Sequence, residues 1–236
     1  MNIGLISIVL PTYNEKDNIL VLADAIHICL GQREHEIIVV DDNSPDGTFT
    51  AVQEAGRPFI RAIIRTSDRG LAKSIRCGLE KAAGEVFVVM DTDFNHRPDY
   101  LPFMVDALYY YDCVTASRFL YGGKMDDRWR HIASWLFNIF TRIVTGGQIT
   151  DSLYGYFAIS KSRLEKLDYD KIFWGYGDYC IRLLYYLQKD QVNILQFPAV
   201  NGKRLGGKGN SKLAGTFWQY FREVIKLVFK GRIYHV

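Results

Sequence analysis

The apolar residues in the first half of the chain form short continuous runs that alternate with segments of helical spacing. Runs of strand length cover residues 6–10, 36–40, 60–64 and 86–90. Spacing typical of amphipathic helices covers residues 18–30, 48–54 and 71–83. Because continuous apolar strands are buried on both faces, this alternation predicts an α/β fold with a Rossmann-like, mostly parallel sheet and helices on both sides.

The second half of the chain shows the same two patterns in a looser alternation. Strand-like runs cover residues 155–160 and 193–200. Helical spacing covers residues 128–144, 178–188 and 216–229. We therefore predict one α/β domain over residues 1–213, followed by an amphipathic C-terminal helix over residues 214–236.

Composition narrows the class of protein. The 236 residues are 48% hydrophobic, enough for a sizeable core, and the net charge of +3 excludes no class but does not suggest a dedicated nucleic-acid-binding protein. The four cysteines form no CxxC pair, as expected for reduced thiols in a cytoplasmic protein. No signal-peptide pattern is recognised, and Asn138 and Arg142 interrupt the longest apolar stretch, so we expect no membrane-spanning segment.

Polar residues follow three of the predicted strands, at residues 11–15, 41–44 and 91–93. Ligands of open parallel sheets bind at the carboxyl ends of the strands, so we expect these segments to meet at one edge. The glycine fingerprint of dinucleotide-binding folds and the Walker A loop are both missing from the sequence. A nucleotide bound here would therefore be held in another way.

The segment Asp91-Thr92-Asp93 places two carboxylates directly after a buried strand. Carboxylate oxygens at one point suit Mg²⁺ or Mn²⁺ that also binds a diphosphate. Such a cation neutralises the charge that develops on a departing nucleoside diphosphate. The alternative is an acidic turn that only caps the following segment.

The segments PTYNE, VVDDNSPDGT, RGLAKSIRCGLEKAAGEVFVVMDTD and ASRFLYGGK together resemble family 2 inverting glycosyltransferases of the GT-A fold. Within that family the chain is most similar to the dolichyl- and polyprenyl-phosphate hexose synthases. The resemblance implies metal-dependent transfer of a hexose from a UDP- or GDP-linked sugar to a polyprenyl phosphate. It also implies that residues 1–115 bind the nucleotide sugar and residues 116–213 bind the acceptor.

The resemblance assigns roles to residues of the first half. It implies that the nucleotide base and ribose contact Pro11, Thr12, Tyr13, Glu15 and Asp42. Gly70 would let the backbone pass close to the donor, Asp91 would contact the ribose or metal, and Asp93 would be the principal metal ligand. Asn95 occupies a position where the synthases often carry a glutamine ligand. A helix-start carboxylate at Glu15 and turn chemistry at Asp42 remain alternatives.

In the second half the resemblance implies that Arg118 faces the phosphates and that Arg130 and Ser134 hold the acceptor phosphate. Arg130 and Ser134 are four residues apart, on one face of a predicted helix. A solvated helix face is the alternative for Arg130. The basic loop with Lys203, Arg204 and Lys212 resembles a segment that closes over phosphates in the family. Its alternative is a glycine-rich surface loop.

Two features leave the acceptor open. The stretch at residues 151–156 carries Leu153 and Tyr154 where the family has small residues. Asp178 matches the place of a general base in enzymes that glycosylate a saccharide hydroxyl, whereas an ionised phosphate needs no base. A helix N-cap is the alternative for Asp178. The rival hypotheses are a glycosyltransferase of cell-surface polysaccharide synthesis and a nucleotide-sugar-binding subunit without activity.

The helices predicted at residues 128–144 and 216–229 combine aromatic with basic residues. Such helices lie in the headgroup layer of anionic membranes. We therefore expect a peripheral protein on the cytoplasmic face of a membrane. Packing of these helices onto the core, or onto a second copy of the chain in a homo-oligomer, is the alternative.

Overall fold

The first half of the chain alternates strands and helices as its pattern predicts. The computed structural model describes residues 3–202 and 213–233, with the side chains of residues 213–216 left out. The elements are β1 (Ile6–Thr12), α1 (Lys16–Leu30), β2 (His35–Asp41), α2 (Thr48–Glu54), β3 (Ile60–Ile64), α3 (Leu71–Lys81) and β4 (Val86–Val89).

The second half contains five short elements that the hydrophobic pattern did not predict. A 3₁₀ turn (Pro98–Tyr100) is followed by α4 (Leu101–Ala107), β5 (Cys113–Ser117), α5 (Arg128–Thr145), β6 (Phe157–Ser160), α6 (Lys161–Leu164), α7 (Tyr169–Ile172), α8 (Asp178–Lys189), β7 (Ile194–Pro198) and α9 (Leu213–Val228). The additions are the 3₁₀ turn, α4, β5, α6 and α7. All of β5 is buried, but its small residues Thr, Ala and Ser form no apolar run.

The strands form a seven-stranded sheet in the order β3-β2-β1-β4-β6-β5-β7. The described pairings are parallel except those of β6, which runs antiparallel to both β4 and β5. The carboxyl ends of β1, β2, β4 and β5 therefore lie at the same edge, where β6 begins. The predicted α/β fold with a mostly parallel sheet is confirmed. Strands from both halves of the chain share this sheet. The predicted division into a nucleotide-sugar-binding half and an acceptor-binding half at residue 115 stays a prediction.

Three groups of buried apolar residues hold the layers together. One joins the sheet to α1 and α4, and a second joins the opposite face to α3 and α8. The third lies between α5, α8 and α9, where Phe137 contacts Phe217 with ring centroids 5.0 Å apart and Phe140 stacks on Phe221 at 4.8 Å. One face of α5 and one face of α9, the two helices that combine aromatic with basic residues, are therefore packed against the protein itself.

Gly78 lets α3 approach the sheet. A Cβ atom at this position would overlap Cγ1 of Val9 on β1 and would lie 3.1 Å from Cγ2 of Val40 on β2. Both valines are fully buried and β-branched, so neither side chain moves aside easily.

We expect Gly78→Ala to lower the free energy of unfolding by about 1 kcal/mol, because overpacking costs about 1–3 kcal/mol and exceeds the helix propensity of alanine, worth about 1 kcal/mol. Denaturant unfolding measures the change. Lys81→Ala, at an exposed position of the same helix, is the matched control and should change stability by less than about 0.5 kcal/mol. A Gly78→Ala protein more stable than wild type would contradict this packing.

Candidate active site

The three polar segments that follow β1, β2 and β4 meet around one cavity of about 890 Å³. Eight residues predicted to bind the donor or metal line it: Pro11, Thr12, Tyr13, Glu15, Asp42, Gly70, Asp91 and Asp93. Residues Asn14, Arg69, Leu71, Ser74, Thr92 and Tyr176 complete the lining. The volume falls in the range of about 300–1,000 Å³ that small-molecule sites occupy.

The segments after β1 and β2 are joined by hydrogen bonds. The backbone N–H of Asn14 donates to Oγ of Ser44 at 2.9 Å, and that of Glu15 donates to Oγ1 of Thr48 at 3.1 Å. Asn14 has a φ of 59°, in the left-handed region that asparagine tolerates better than most residues. These bonds fix the wall of the cavity that carries Tyr13 and Glu15.

Asp42 binds the start of α3 to the end of β2. Its carboxylate accepts a hydrogen bond from the Gly70 N–H at 2.6 Å and pairs with Nη1 of Arg65 at 2.6 Å. The same Arg65 nitrogen donates to Oγ of Ser74 at 2.7 Å. Gly70 has a φ of 145°, which few other residues adopt. Asp42 therefore shapes the cavity wall, and its predicted contact with the base remains a prediction.

Arg69 and Tyr176 were not predicted from the sequence. The guanidinium of Arg69 lies 4.8 Å from the centre of the Tyr13 ring, so a cation stands on the cavity wall. The sequence signal that could have identified Arg69 is its position directly before Gly70, which was predicted to lie close to the donor. Tyr176 comes from the loop between α7 and α8, about a hundred residues later, and no local pattern connects it to this site.

Asp93 is 7% exposed and receives two hydrogen bonds from Asn95, from the backbone N–H at 3.1 Å and from Nδ2 at 2.8 Å. Asn95 therefore supports Asp93 and does not itself line the cavity. Within residues 3–202 and 213–233, no three His, Cys, Asp or Glu side chains are grouped as a metal site. The D-x-D segment thus places Asp91 and Asp93 at the cavity, and their predicted binding of metal stays a prediction.

Arg118 does not face the cavity in the structure. Its Nε and Nη2 atoms donate to the Asp151 carboxylate at 2.7 and 2.9 Å, and both residues are buried. Burial acts to lower the pKa of Arg118, but the charge and the hydrogen bonds of Asp151 together raise that pKa above its usual value. The guanidinium is therefore a charged group that joins the end of β5 to the segment before β6, and its predicted contact with phosphates stays a prediction.

The other predicted acceptor residues lie apart from the cavity lining. Arg130 is exposed on the first turn of α5, where its Nε atom is 3.3 Å from the Asp127 carboxylate. Ser134 is one turn further along the same helix and is partly exposed. Lys203, Arg204 and Lys212 lie outside the described residues. The phosphate-holding role of these five residues stays a prediction.

Asp178 is fully buried at the first residue of α8. Its carboxylate pairs with Nη1 of Arg182 at 2.7 Å and accepts from the Tyr176 N–H at 2.8 Å and from Nε2 of Gln219 at 3.3 Å. It neither lines the cavity nor occupies the N-cap position, which is Gly177. This placement does not support the role of general base.

Comparison with known proteins identifies the family. The model of glycosyl transferase family 2 matches residues 7–168. This chain belongs to glycosyltransferase family 2. The match includes each cavity-lining segment except Tyr176, which lies beyond its end.

Relatives within glycosyltransferase family 2 include enzymes named for lipid phosphates. A dolichol-phosphate mannosyltransferase of Pyrococcus furiosus is 30% identical over 97% of this chain. The chain spans 65% of the length of that relative. An undecaprenyl-phosphate mannosyltransferase of Micrococcus luteus is 36% identical over 72% of this chain and 72% of its own length.

Solved structures confirm the GT-A-like fold. Glucosyl-3-phosphoglycerate synthase from Mycobacterium tuberculosis, in complex with Mn²⁺, UDP and glucosyl-3-phosphoglycerate, has a TM-score of 0.74 and 21% identity to this chain. The alignment covers 94% of this chain and 79% of that structure. A second structure of the same enzyme contains Mg²⁺ and UDP.

We expect Asp178→Asn to lower the free energy of unfolding by about 3 kcal/mol, because buried Arg182 loses the carboxylate at 2.7 Å and keeps only that of Glu223, at 3.5 Å. Thermal or denaturant unfolding measures the loss. Asp190→Asn, at the exposed end of the same helix, is the control and should leave stability unchanged. If Asp178→Asn abolished glycosyl transfer while stability stayed at the wild-type value, Asp178 would be a catalytic base instead.

Proposed function

We propose that this member of glycosyltransferase family 2 transfers a hexose, with inversion, from a UDP- or GDP-linked sugar to a polyprenyl phosphate. The observation that carries the proposal is the cavity itself. It collects the eight predicted donor and metal residues, seven from three separate strand ends and Gly70 from the start of α3, although nearly eighty residues separate Tyr13 from Asp91. The names of the relatives from Pyrococcus furiosus and Micrococcus luteus support a lipid phosphate as the acceptor.

The donor diphosphate is proposed to lie against the positive wall of the cavity. Arg69 contributes a guanidinium there, and Leu71 and Ser74 belong to the first turn of α3, whose N–H groups are partly positive. Tyr13 and Tyr176 offer flat faces at the same cavity for the nucleoside. These groups would bind and orient the donor so that the anomeric carbon faces the acceptor.

Asp91 and Asp93 are proposed to hold Mg²⁺ or Mn²⁺. Two carboxylates at the cavity, with other positions left to phosphate oxygens and water, are the usual contribution of a protein to such a site. When bound, the cation neutralises charge on the departing nucleoside diphosphate. Asn95 would keep the Asp93 carboxylate in place through its two hydrogen bonds.

A phosphate acceptor agrees with the place of Asp178. Phosphate oxygens are ionised near neutral pH and attack without giving up a proton, whereas a saccharide hydroxyl needs a base. The Asp178 carboxylate is fully buried and engaged by Arg182, Tyr176 and Gln219. We propose that Arg130, Ser134 and the basic loop at 203–212 steer the acceptor phosphate. Arg118 would act indirectly, since its ion pair with Asp151 holds the segment before β6 in position.

An exposed apolar stripe on α5 supports contact with a membrane surface. The stripe consists of Trp129, Ile132, Leu136 and Ile143, whose spacing places them on one helix face. On α9, Trp218 is 63% exposed, and both helices also expose basic residues. Among the residues that the structure describes, no helix is long and apolar enough to cross a bilayer. We propose that the stripe rests on the cytoplasmic leaflet that contains the acceptor lipid.

Transfer can be tested with UDP- and GDP-linked hexoses against undecaprenyl and dolichyl phosphate, with and without Mn²⁺. We expect a labelled lipid product that disappears with EDTA and returns with added Mn²⁺. Asp93→Asn should lower transfer at least about a hundredfold, because it removes a charge from the group that stabilises the leaving diphosphate. Asp106→Asn, which changes a surface ion pair with Arg33 on the opposite side of the core, should retain full activity.

The rival functions give other results in the same assay. Product formed on saccharide hydroxyls and not on lipid phosphate would contradict the proposed acceptor. Tight binding of a nucleotide sugar with neither transfer nor release of the sugar, even with lipid extract and Mn²⁺, would indicate a binding subunit.

Membrane contact can be tested by sedimentation with vesicles that contain anionic lipids. We expect Trp129→Ser combined with Leu136→Ser to weaken binding at least about tenfold, because each change removes apolar surface worth roughly 1.5 kcal/mol. Tyr110→Ser, which changes a residue that is 82% exposed after α4, is the control. Unchanged binding by the double variant, together with a loss of self-association, would show instead that the stripe joins copies of the chain.

A further inference from the structure

His96 is buried beside the D-x-D segment and uses both ring nitrogens. Nδ1 accepts a hydrogen bond from the backbone N–H of Asp91 at 2.8 Å, and Nε2 lies 2.9 Å from the carbonyl oxygen of Tyr154. An N–H group can only donate and a carbonyl can only accept, so the contacts require a neutral ring with its proton on Nε2. The Asp91 carboxylate, 3.6 Å from Nε2, favours the same tautomer.

Two tyrosines also contact the segment at residues 91–97, where the Asn95 carbonyl accepts a further hydrogen bond from the Gly202 N–H at 2.9 Å. The phenol of Tyr154 donates to the Asn95 carbonyl at 2.9 Å, and that of Tyr156 donates to the Arg97 carbonyl at 2.9 Å. The His96 ring stacks on Tyr156 at 4.7 Å and meets the edge of Tyr154 at 4.6 Å. We call His96, Tyr154 and Tyr156 the aromatic clamp.

The segment held by the clamp has a strained backbone. Phe94, directly after Asp93, has a φ of 64°, which costs a non-glycine residue roughly 1–3 kcal/mol. Such a conformation persists only where surrounding contacts over-determine it. The clamp supplies hydrogen bonds on both sides of Phe94, at Asp91 before it and at Asn95 and Arg97 after it.

The clamp explains the bulky residue at position 154. Tyr154 does not line the donor cavity, and its ring lies 4.7 Å from the Arg118 guanidinium, which the Asp151 carboxylate fixes. Burial raises the pKa of the Tyr154 phenol well above its usual range, so the phenol keeps its proton and remains a donor. The residue thus supports the segment that follows the D-x-D carboxylates through the Asn95 carbonyl and lies outside the cavity lining.

We propose that His96, Tyr154 and Tyr156 are positioning residues that hold Asp91 and Asp93 in the conformation that binds a divalent cation together with the donor diphosphate. This rests on the proposed function only in so far as Asp91 and Asp93 bind metal. Groups that orient metal ligands typically change affinity tenfold to a hundredfold when removed.

The test measures Mn²⁺ binding in the presence of UDP or GDP, by electron paramagnetic resonance of free Mn²⁺, beside thermal unfolding. We expect Tyr154→Phe and His96→Phe each to weaken Mn²⁺ binding about tenfold or more. His96→Asn retains an acceptor near the Nδ1 position and should bind Mn²⁺ more tightly than His96→Phe. Tyr185→Phe is the matched control, since it removes a buried phenol bonded to the Leu227 carbonyl in another part of the core.

The outcomes distinguish a failure of the positioning role of the clamp from a failure of the proposed transfer reaction. If Tyr154→Phe and His96→Phe fold and bind Mn²⁺ within twofold of wild type, or if Tyr185→Phe weakens Mn²⁺ binding equally, the clamp has no positioning role. The proposal is also overturned if wild-type protein with nucleotide binds no Mn²⁺. If binding weakens as expected while no lipid phosphate accepts a sugar, the clamp stands and the proposed acceptor fails. Should His96→Phe not fold, Tyr154→Phe and Tyr156→Phe decide the matter.

Discussion

The antiparallel insertion of β6 between β4 and β5 is the constraint on which the site depends. Because β6 starts at the edge where β4 and β5 end, residues 151–156 are brought beside residues 91–97 and beside Arg118. A fully parallel arrangement would place the start of β6 at the opposite edge. The aromatic clamp and the ion pair of Arg118 with Asp151 both follow from this single reversal of direction.

Buried charges around the cavity hold backbone segments together. Arg118 with Asp151, Arg182 with Asp178, and Arg65 with Asp42 each join elements that are distant in sequence or anchor a loop beside the cavity. Removing a charge from water is costly, so each pair is stable only with complete hydrogen bonding. Arg182 meets this condition through the carbonyl groups of Ile172 and Trp174 and through the Trp174 ring, 3.8 Å from its guanidinium.

The helices α5 and α9 have two different faces. Their inner faces form an aromatic cluster with α8, and their outer faces expose large apolar side chains. Glu223 and Gln219 of α9 also contact Arg182 and Asp178, so the C-terminal helix is bonded to the loop that carries Tyr176. The apolar surface that we propose to contact lipid is thereby connected through polar contacts to the loop that carries Tyr176, which lines the cavity.

The sequence by itself determined the strands and helices of the first half, the mostly parallel sheet and the meeting of three polar segments at one edge of it. These features depend on local apolar runs and on the rule that parallel strands end at one edge, which places residues 11–15, 41–44 and 91–93 together. Tertiary structure decided the rest, since β5 has no apolar run and the direction of β6 has no local signal. Likewise, only the fold shows that Arg118 and Asp178 are buried in ion pairs and that Tyr154 supports the D-x-D segment, because a charged or aromatic residue takes its role from the partners that folding brings to it.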